Sequence, residues 1–204
     1  DINEHTNRYL DSIFNDIKGE PVYDYYNADP SDEISKKNDH VEDIFIVNFN
    51  YTSLLDLHLE SFERRIWYYQ IHGYIEEPDS IVFGYGDDSH KEYYDIEQSG
   101  IDEFLVNIKS FYYPSHDDYQ EITGMLDRDI YEVYVLGHSL GLSDRVLLKT
   151  IFEHKNCVMI RLYHRGSEKD HFKRRISLSR HFDDKESMRS KIMTYNSNDI
   201  LNDK

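Results

Sequence analysis

The chain has 204 residues, of which 39% are hydrophobic and 31% are charged, as expected for one soluble globular domain with its own core. Its net charge of -17 disfavours polyanions as general partners. The longest apolar runs, such as Ile44–Val47, are too short to form a membrane-spanning helix. Cys157 is the single cysteine, which excludes an intrachain disulfide, and the sequence does not open with a signal-peptide pattern, so we expect a cytoplasmic protein.

The first forty residues predict a helix followed by a polar segment. Residues 4–18 carry apolar side chains at helical spacing, and Gly19 and Pro21 end that pattern. Residues 21–40 are polar and contain Pro30, which indicates an exposed loop or lid.

Three strands are predicted next, and each is followed by polar or glycine residues. The strands comprise residues 44–47, 65–71 and 81–83, and the polar motifs that follow them are residues 48–51, 72–73 and 84–88. A short helix at residues 54–59 separates the first two strands.

The second half of the chain alternates helices with strands. The predicted elements are helices at residues 105–111, 119–126 and 144–152, strands at residues 131–136 and 157–163, and a basic C-terminal helical segment at residues 166–204. Such alternation is typical of α/β proteins. We therefore predict one α/β domain over residues 1–204, with a Rossmann-like, three-layer parallel sheet and helices on both faces.

The ends of the predicted strands carry the residues that favour a ligand site. In parallel sheets, ligands bind at the carboxyl ends of the strands, where loops and helix amino termini converge. Five of the nine glycines lie in these turns, where they permit positive φ angles or close approach of an anionic group to backbone amides; they are Gly73, Gly84, Gly86, Gly137 and Gly141. This pattern predicts a nucleotide-sized pocket.

Two side chains at these strand ends suit catalysis. Asn50 can orient a ribose hydroxyl or a water molecule, and His72 can act as a general base near neutral pH. The structural alternatives are a turn or helix cap for Asn50 and a hydrogen-bonding role for His72. Asp87, Asp88 and His90 form a polar turn, and we favour that interpretation over a metal site because no second set of ligands accompanies them.

Residues 137–141, Gly-His-Ser-Leu-Gly, match the G-x-S-x-G nucleophile elbow of serine hydrolases. In those enzymes an acid and then a histidine follow the serine on later strands, whereas one strand is predicted after Ser139. His171 and His181 lie in a segment that is predicted to be a charged helix. A serine esterase that uses Ser139 therefore stays as the alternative hypothesis.

Residues 161–180 form a basic segment in this acidic chain, with seven basic residues against two acidic ones. The segment either binds phosphates or RNA, or is a solvated helix that offsets an acidic neighbour, and we favour the solvated helix.

Four short blocks in a restrictive order resemble the AbiH family, a bacteriophage abortive-infection family that is related in pattern to sirtuin-like NAD-binding domains. The blocks are residues 48–52 (Asn-Phe-Asn-Tyr-Thr), 71–73 (Ile-His-Gly), 84–88 (Gly-Tyr-Gly-Asp-Asp) and 137–140 (Gly-His-Ser-Leu), the last with Asp144. The resemblance covers roughly residues 40 to 165.

The resemblance implies a phage-defence effector that binds NAD or a related nucleotide and hydrolyses NAD to nicotinamide and ADP-ribose. In such a site Asn50 holds the nicotinamide ribose or the attacking water, and His72 is the base. The implied ligand-binding residues are Asn48, Gly84, Gly86, Asp87, Gly137, His138, Ser139 and Asp144. No metal and no membrane are expected, and the expected partners are the nucleotide, a further copy of the chain or a phage-derived trigger. A non-enzymatic module that senses a nucleotide or binds RNA is a further alternative.

The sequence departs from this pattern in three respects. Thr52 stands where sirtuins have an aspartate, and the four-cysteine zinc site is missing, so we do not expect lysine deacetylation. Residues 1–43 lack the Gly-rich turn that cradles the diphosphate, and the chain opens with Asp1. We therefore expect the chain to be a fragment of a longer protein.

Overall fold

The structure is a computed structural model, and it describes residues 43–52, 66–85, 88, 91–113 and 117–197. The helix predicted at residues 4–18, the loop at 21–40 and the helix at 54–59 lie outside these residues. The described residues belong to two compact units. Within the described ranges, no helix reaches the length and apolarity that a membrane crossing requires.

The first unit contains a two-stranded sheet of β1 (Ile44–Asn48) and β2 (Ile66–Gln70), of which only the last residue belongs to the second unit. The rings of Phe45 and Trp67 stack with their centroids 6.2 Å apart. Asn48 Nδ2 donates a hydrogen bond of 2.6 Å to the Tyr68 hydroxyl. These cross-strand pairs are typical of the contacts that stabilise a sheet.

The second unit combines helices with a parallel pair of strands. Its elements include α1 (Lys91–Gln98), α2 (Asp117–Leu126), β3 (Tyr131–Val135), α3 (Arg145–Glu153), β4 (Cys157–Leu162), α4 (Glu168–Ser179) and α5 (Lys185–Lys191). β3 and β4 pair in parallel, with Val135 opposite Leu162. Because α3 connects the two strands in the chain, the centre of the unit is a β–α–β arrangement, the building block of α/β proteins.

The core of the second unit lies where α3 and β4 pack. The apolar residues of α3 recur at helical spacing and are buried, and they are Leu147, Leu148, Ile151 and Phe152. Burial of each such side chain stabilises the fold by about 1.5–3 kcal/mol. β4 is buried along nearly its whole length, and its one charged residue, Arg161, places its guanidinium 5.8 Å from the Tyr134 ring centroid.

The prediction of an α/β protein is confirmed. The strands predicted at residues 44–47, 65–71, 131–136 and 157–163 correspond to β1 to β4, and the helices predicted at 119–126 and 144–152 to α2 and α3. The described strands form two separate pairs, β1 with β2 and β3 with β4, rather than one continuous sheet.

The strand predicted at residues 81–83 does not form. The Val82 N–H donates to the His72 carbonyl, but Phe83 is largely exposed and the segment is irregular. Ser80 explains this conformation, because its hydroxyl accepts from the Tyr74 N–H and donates to the Glu77 carbonyl, and so folds the segment into a loop.

The helix predicted at residues 105–111 is also wrong. This part of the chain contains two short 3-10 turns, Asp102–Phe104 and Lys109–Phe111, and Ile108 forms an isolated parallel bridge with Tyr85. The apolar spacing of the segment fits a helix, but its backbone groups pair with Tyr85 instead. The spacing of apolar residues along the chain gave no indication of α1.

Candidate functional site

A cluster of charged and polar side chains surrounds Asp144 in the second unit. Asp144 ends a 3-10 turn, Leu142–Asp144, directly before α3, and its side chain is 8% exposed. Its carboxylate makes no capping hydrogen bond to α3, although it occupies the capping position. Both carboxylate oxygens face other side chains of the second unit, so the residue has a role other than starting the helix.

The two oxygens of Asp144 have different partners. Oδ1 lies 3.0 Å from Lys109 Nζ and 3.0 Å from His72 Nε2. Oδ2 lies 3.4 Å from His138 Nε2 and accepts a 3.2 Å hydrogen bond from the Ser143 hydroxyl. Burial alone would raise the pKa of Asp144, but its contacts with His138, His72 and Lys109 outweigh it and hold the pKa far below its usual range. Asp144 is therefore a fixed negative charge at neutral pH.

Lys109 supplies the compensating positive charge, and its side chain is also buried. Its backbone position is set by two hydrogen bonds, from the Tyr85 N–H to the Asn107 carbonyl and from the Lys109 N–H to the Tyr85 carbonyl. Gly84 allows this pairing, because a Cβ atom at its position would overlap the Asn107 carbonyl oxygen. Sequence reasoning missed Lys109, since no motif surrounds it and its segment was predicted to be a helix.

The hydrogen bonds of His72 determine which ring nitrogen carries the proton. Nδ1 lies 3.2 Å from the Phe49 carbonyl oxygen, which can only accept, so Nδ1 must be the donor. In the neutral imidazole Nε2 is therefore the acceptor, and it lies 3.2 Å from Lys109 Nζ. After gaining a proton, Nε2 can donate to Asp144 Oδ1 instead. A neutral ring in this tautomer can accept a proton on Nε2, and Asp144 lies in place to stabilise the resulting imidazolium.

His138 has the opposite arrangement. The Leu140 N–H donates to Nδ1 over 3.0 Å, so the neutral imidazole carries its proton on Nε2, the nitrogen that faces Asp144. Gly137 and Leu140 adopt positive φ angles of 66° and 56°, and this backbone geometry folds the turn so that His138 reaches the carboxylate. Such angles suit glycine and are strained for leucine.

Two aromatic side chains cover the imidazoles. The Phe49 ring centroid lies 5.5 Å from that of His72 and 4.4 Å from that of His138, and the Tyr51 ring lies 5.6 Å from His72. Asn50 stands between these two residues in the chain and is exposed. The segments that carry Asn50, His72 and Ser139 thus meet at one place.

The predicted site residues fall into three groups. His72, His138 and Asp144 belong to the cluster, and Gly137 and Ser139 are exposed in the adjoining turn. Asn48 lies in the first unit, in the hydrogen bond with Tyr68, and Gly84 has the backbone role described above. Gly86 and Asp87 lie outside the described residues. Among the described residues, no group of three or more His, Cys, Asp and Glu is placed to hold a metal ion.

The turn at residues 137–141 does not have the geometry of a nucleophile elbow. The elbow places its serine at the strained position of a sharp strand-to-helix turn. In this structure the strained residue is Leu140, and a 3-10 turn intervenes before α3. Within the described part of the chain, no hydrogen bond joins the Ser139 hydroxyl to a histidine, and His181 instead bonds the Leu140 carbonyl. The structure therefore gives the esterase alternative no support.

The fold and the site define an α/β protein with a buried carboxylate that is shared by two imidazoles and an ammonium group. A family model described as bacteriophage abortive infection AbiH matches residues 1–164. The chain belongs to the AbiH family, which assigns it a role in abortive infection by bacteriophage. No curated protein and no solved structure gives a significant match.

Proposed function

We propose that this AbiH chain acts in abortive infection by binding NAD or a related nucleotide and hydrolysing NAD to nicotinamide and ADP-ribose. The observation that carries the proposal is the state of His72. Its Nδ1 lies 3.2 Å from the Phe49 carbonyl, which favours a proton on Nδ1, and Asp144 Oδ1 lies 3.0 Å from its Nε2.

The chemistry of NAD cleavage suits such a site. Nicotinamide leaves as a neutral base from a cationic ribosyl linkage, so the reaction needs no general acid. Its transition state resembles an oxocarbenium ion, as in glycoside hydrolysis. The site must orient the ribose, place a water molecule and accept one proton. In this proposal Asn50 orients the ribose or the water, and His72 accepts the proton.

Asp144 and Lys109 support this base electrostatically. Neutral His72 accepts a hydrogen bond from Lys109, and the imidazolium formed during the reaction donates to Asp144. The switch between these two partners requires no movement of the ring, since both lie within hydrogen-bond distance of the same nitrogen. Preorganised partners of this kind lower the cost of charge that develops during a reaction.

The nucleotide would lie across the turn at residues 137–141. Ser139 and Gly137 are exposed there, and a glycine with a positive φ lets phosphate or ribose oxygens approach the backbone closely. The proposal includes a Rossmann-like arrangement of this region, which is the arrangement of many dinucleotide-binding folds. Residues 84–87 would supply further contacts to the nucleotide.

Incubation of the chain with NAD, with nicotinamide measured by chromatography, tests the proposal. We expect release by the wild type and a loss of at least tenfold in Asn50→Ala and His72→Asn, because each removes a group used in the reaction. Asn196→Ala and His154→Asn are matched controls at positions outside the cluster and should keep wild-type turnover.

The outcomes distinguish cleavage from binding. Wild-type turnover that survives both site substitutions would remove Asn50 and His72 from the mechanism. If calorimetry shows tight NAD binding but no nicotinamide is released, the chain is a nucleotide sensor and not a hydrolase. Neither binding nor release would end the proposal.

A further inference from the structure

Two side chains from the C-terminal part of the second unit hold the turn at residues 137–141. Arg174, on α4, donates from Nη1 to the His138 carbonyl over 2.7 Å. His181, just after α4, lies with Nε2 3.0 Å from the Leu140 carbonyl. The two carbonyls that accept these bonds flank Ser139, so the turn is held on both sides of its exposed serine.

The surroundings of His181 favour its hydrogen bond to the Leu140 carbonyl. The side chain is completely buried, and its ring packs edge-on against Phe152 of the core. Burial lowers the pKa of His181, which keeps the imidazole neutral. Because a carbonyl can only accept, the single proton of the ring must be on Nε2.

Arg174 contributes through geometry as well as charge. It is only partly exposed, while Lys169, Lys173 and Arg180 of the same basic segment are exposed. α4 begins with a capping box between Ser167 and Asp170 and buries Leu178, which fixes the helix that carries the guanidinium. The basic segment is therefore more than a solvated helix, because one of its arginines reaches the site.

We infer that Arg174 and His181 are positioning residues of the candidate site. They fix the turn in the strained conformation that brings the Leu140 N–H to Nδ1 of His138 and directs His138 Nε2 to Asp144. Both residues follow residue 164, where the match to the family model ends, so the match assigns them no role.

The side-chain nitrogens of His138 report this role directly. Long-range proton–nitrogen NMR spectra of the chain, labelled with ¹⁵N-histidine, distinguish a ring protonated on Nε2 from a mixture of tautomers. We expect a single Nε2–H form for His138 in the wild type. In Arg174→Gln, whose side chain is too short to reach the carbonyl, we expect a mixture, and Arg174→Lys should restore the wild-type form in part.

Arg180→Gln is the matched control, since it removes an exposed arginine at the end of the same helix. It should leave the His138 signals unchanged. His181→Leu, which removes the second bond and retains an apolar side chain, should also produce a mixture. If circular dichroism shows that Arg174→Gln is unfolded, His181→Leu provides the test instead. Wild-type His138 signals in a folded Arg174→Gln or His181→Leu variant would overturn the inference.

A second readout rests on the proposed function. If the wild type releases nicotinamide from NAD, Arg174→Gln should lower kcat about tenfold or more with KM nearly unchanged, because misplacement of catalytic groups acts on the reaction step. If the wild type releases none, the proposed function fails, and the NMR spectra still decide the positioning role.

Discussion

Lys109 Nζ lies 3.0 Å from Asp144 Oδ1, and both side chains are buried although 35 residues separate them in the chain. A charged pair in this position is costly to break, because the remaining charge has no compensation and little access to water. The pair therefore links the 3-10 turn Lys109–Phe111, between α1 and α2, to the start of α3, and it keeps the carboxylate ionised beside His72 and His138.

Replacement of Lys109 by methionine should destabilise the fold strongly. The substitution keeps the length of the side chain and removes its charge, so Asp144 would remain buried without its cation. We expect a loss of about 3–5 kcal/mol in the free energy of unfolding, measured with urea.

Lys155→Met is the matched control for this substitution. Lys155 pairs with Asp127 over 3.6 Å, but both side chains are largely exposed. Its loss should change stability by no more than about 1 kcal/mol. Equal effects of the two substitutions would show that Lys109 does not hold the buried carboxylate.

The depressed pKa of Asp144 predicts a loss of stability in acid. The ionised carboxylate stabilises the fold fully above the pKa of an unfolded aspartate, near 3.9, and this contribution is lost as pH falls below that value. Between pH 4 and pH 3, the free energy of unfolding of the wild type should therefore fall more steeply than that of Asp144→Asn, by up to about 1.4 kcal/mol per pH unit. Asp79→Asn, at an exposed position, should retain the wild-type slope. Parallel slopes for the wild type and Asp144→Asn would contradict the assignment.

Glycine substitutions should differ according to what surrounds each glycine. Gly73 has a φ of 78°, and a Cβ atom there would overlap the Ser80 backbone, while Gly84 faces the Asn107 carbonyl. Gly137 and Gly100 also have positive φ angles, but an added Cβ would meet no atom within 4 Å. We expect Gly137→Ala and Gly100→Ala to cost about 1–2 kcal/mol, and the alanine variants of Gly73 and Gly84 to cost more. Thermal melting of the four variants measures the order, and a larger cost at the two open positions would contradict it.

Ser139 should be inert toward a fluorophosphonate probe. The strained residue of its turn is Leu140, and the nearby His138 directs its proton-bearing nitrogen at Asp144, so His138 is not placed to activate the hydroxyl. Labelling of the wild type should equal that of Ser139→Ala. Labelling that the substitution abolishes would restore the esterase hypothesis.

Local patterns in the sequence predicted the β3–α3–β4 arrangement, because apolar runs and helical spacing are set by burial within the chain itself. The sequence also identified His72 and Asp144 as site residues, because His72 follows a predicted strand and Asp144 accompanies the block at residues 137–140. Lys109 could not be predicted in this way. Its position depends on the pairing of Ile108 with Tyr85, a contact between distant residues that no local spacing reports. The same contact explains why the predicted helix at residues 105–111 is absent.

The tautomers of His72 and His138 could not be predicted from the sequence either. They depend on the Phe49 carbonyl and the Leu140 N–H, and backbone groups carry no sequence signature. Arg174 was predicted only as one charge in a basic segment, because its reach to the His138 carbonyl follows from the packing of α4.

A crystal structure of the chain with NAD, or with an analogue that resists cleavage, is the decisive test of the proposed nucleotide site. We expect the nicotinamide ribose within hydrogen-bond distance of Asn50 and beside His72, and the nucleotide against the turn that carries Ser139. A dinucleotide bound elsewhere on the chain, with His72, His138, Lys109 and Asp144 unchanged and untouched, would contradict it.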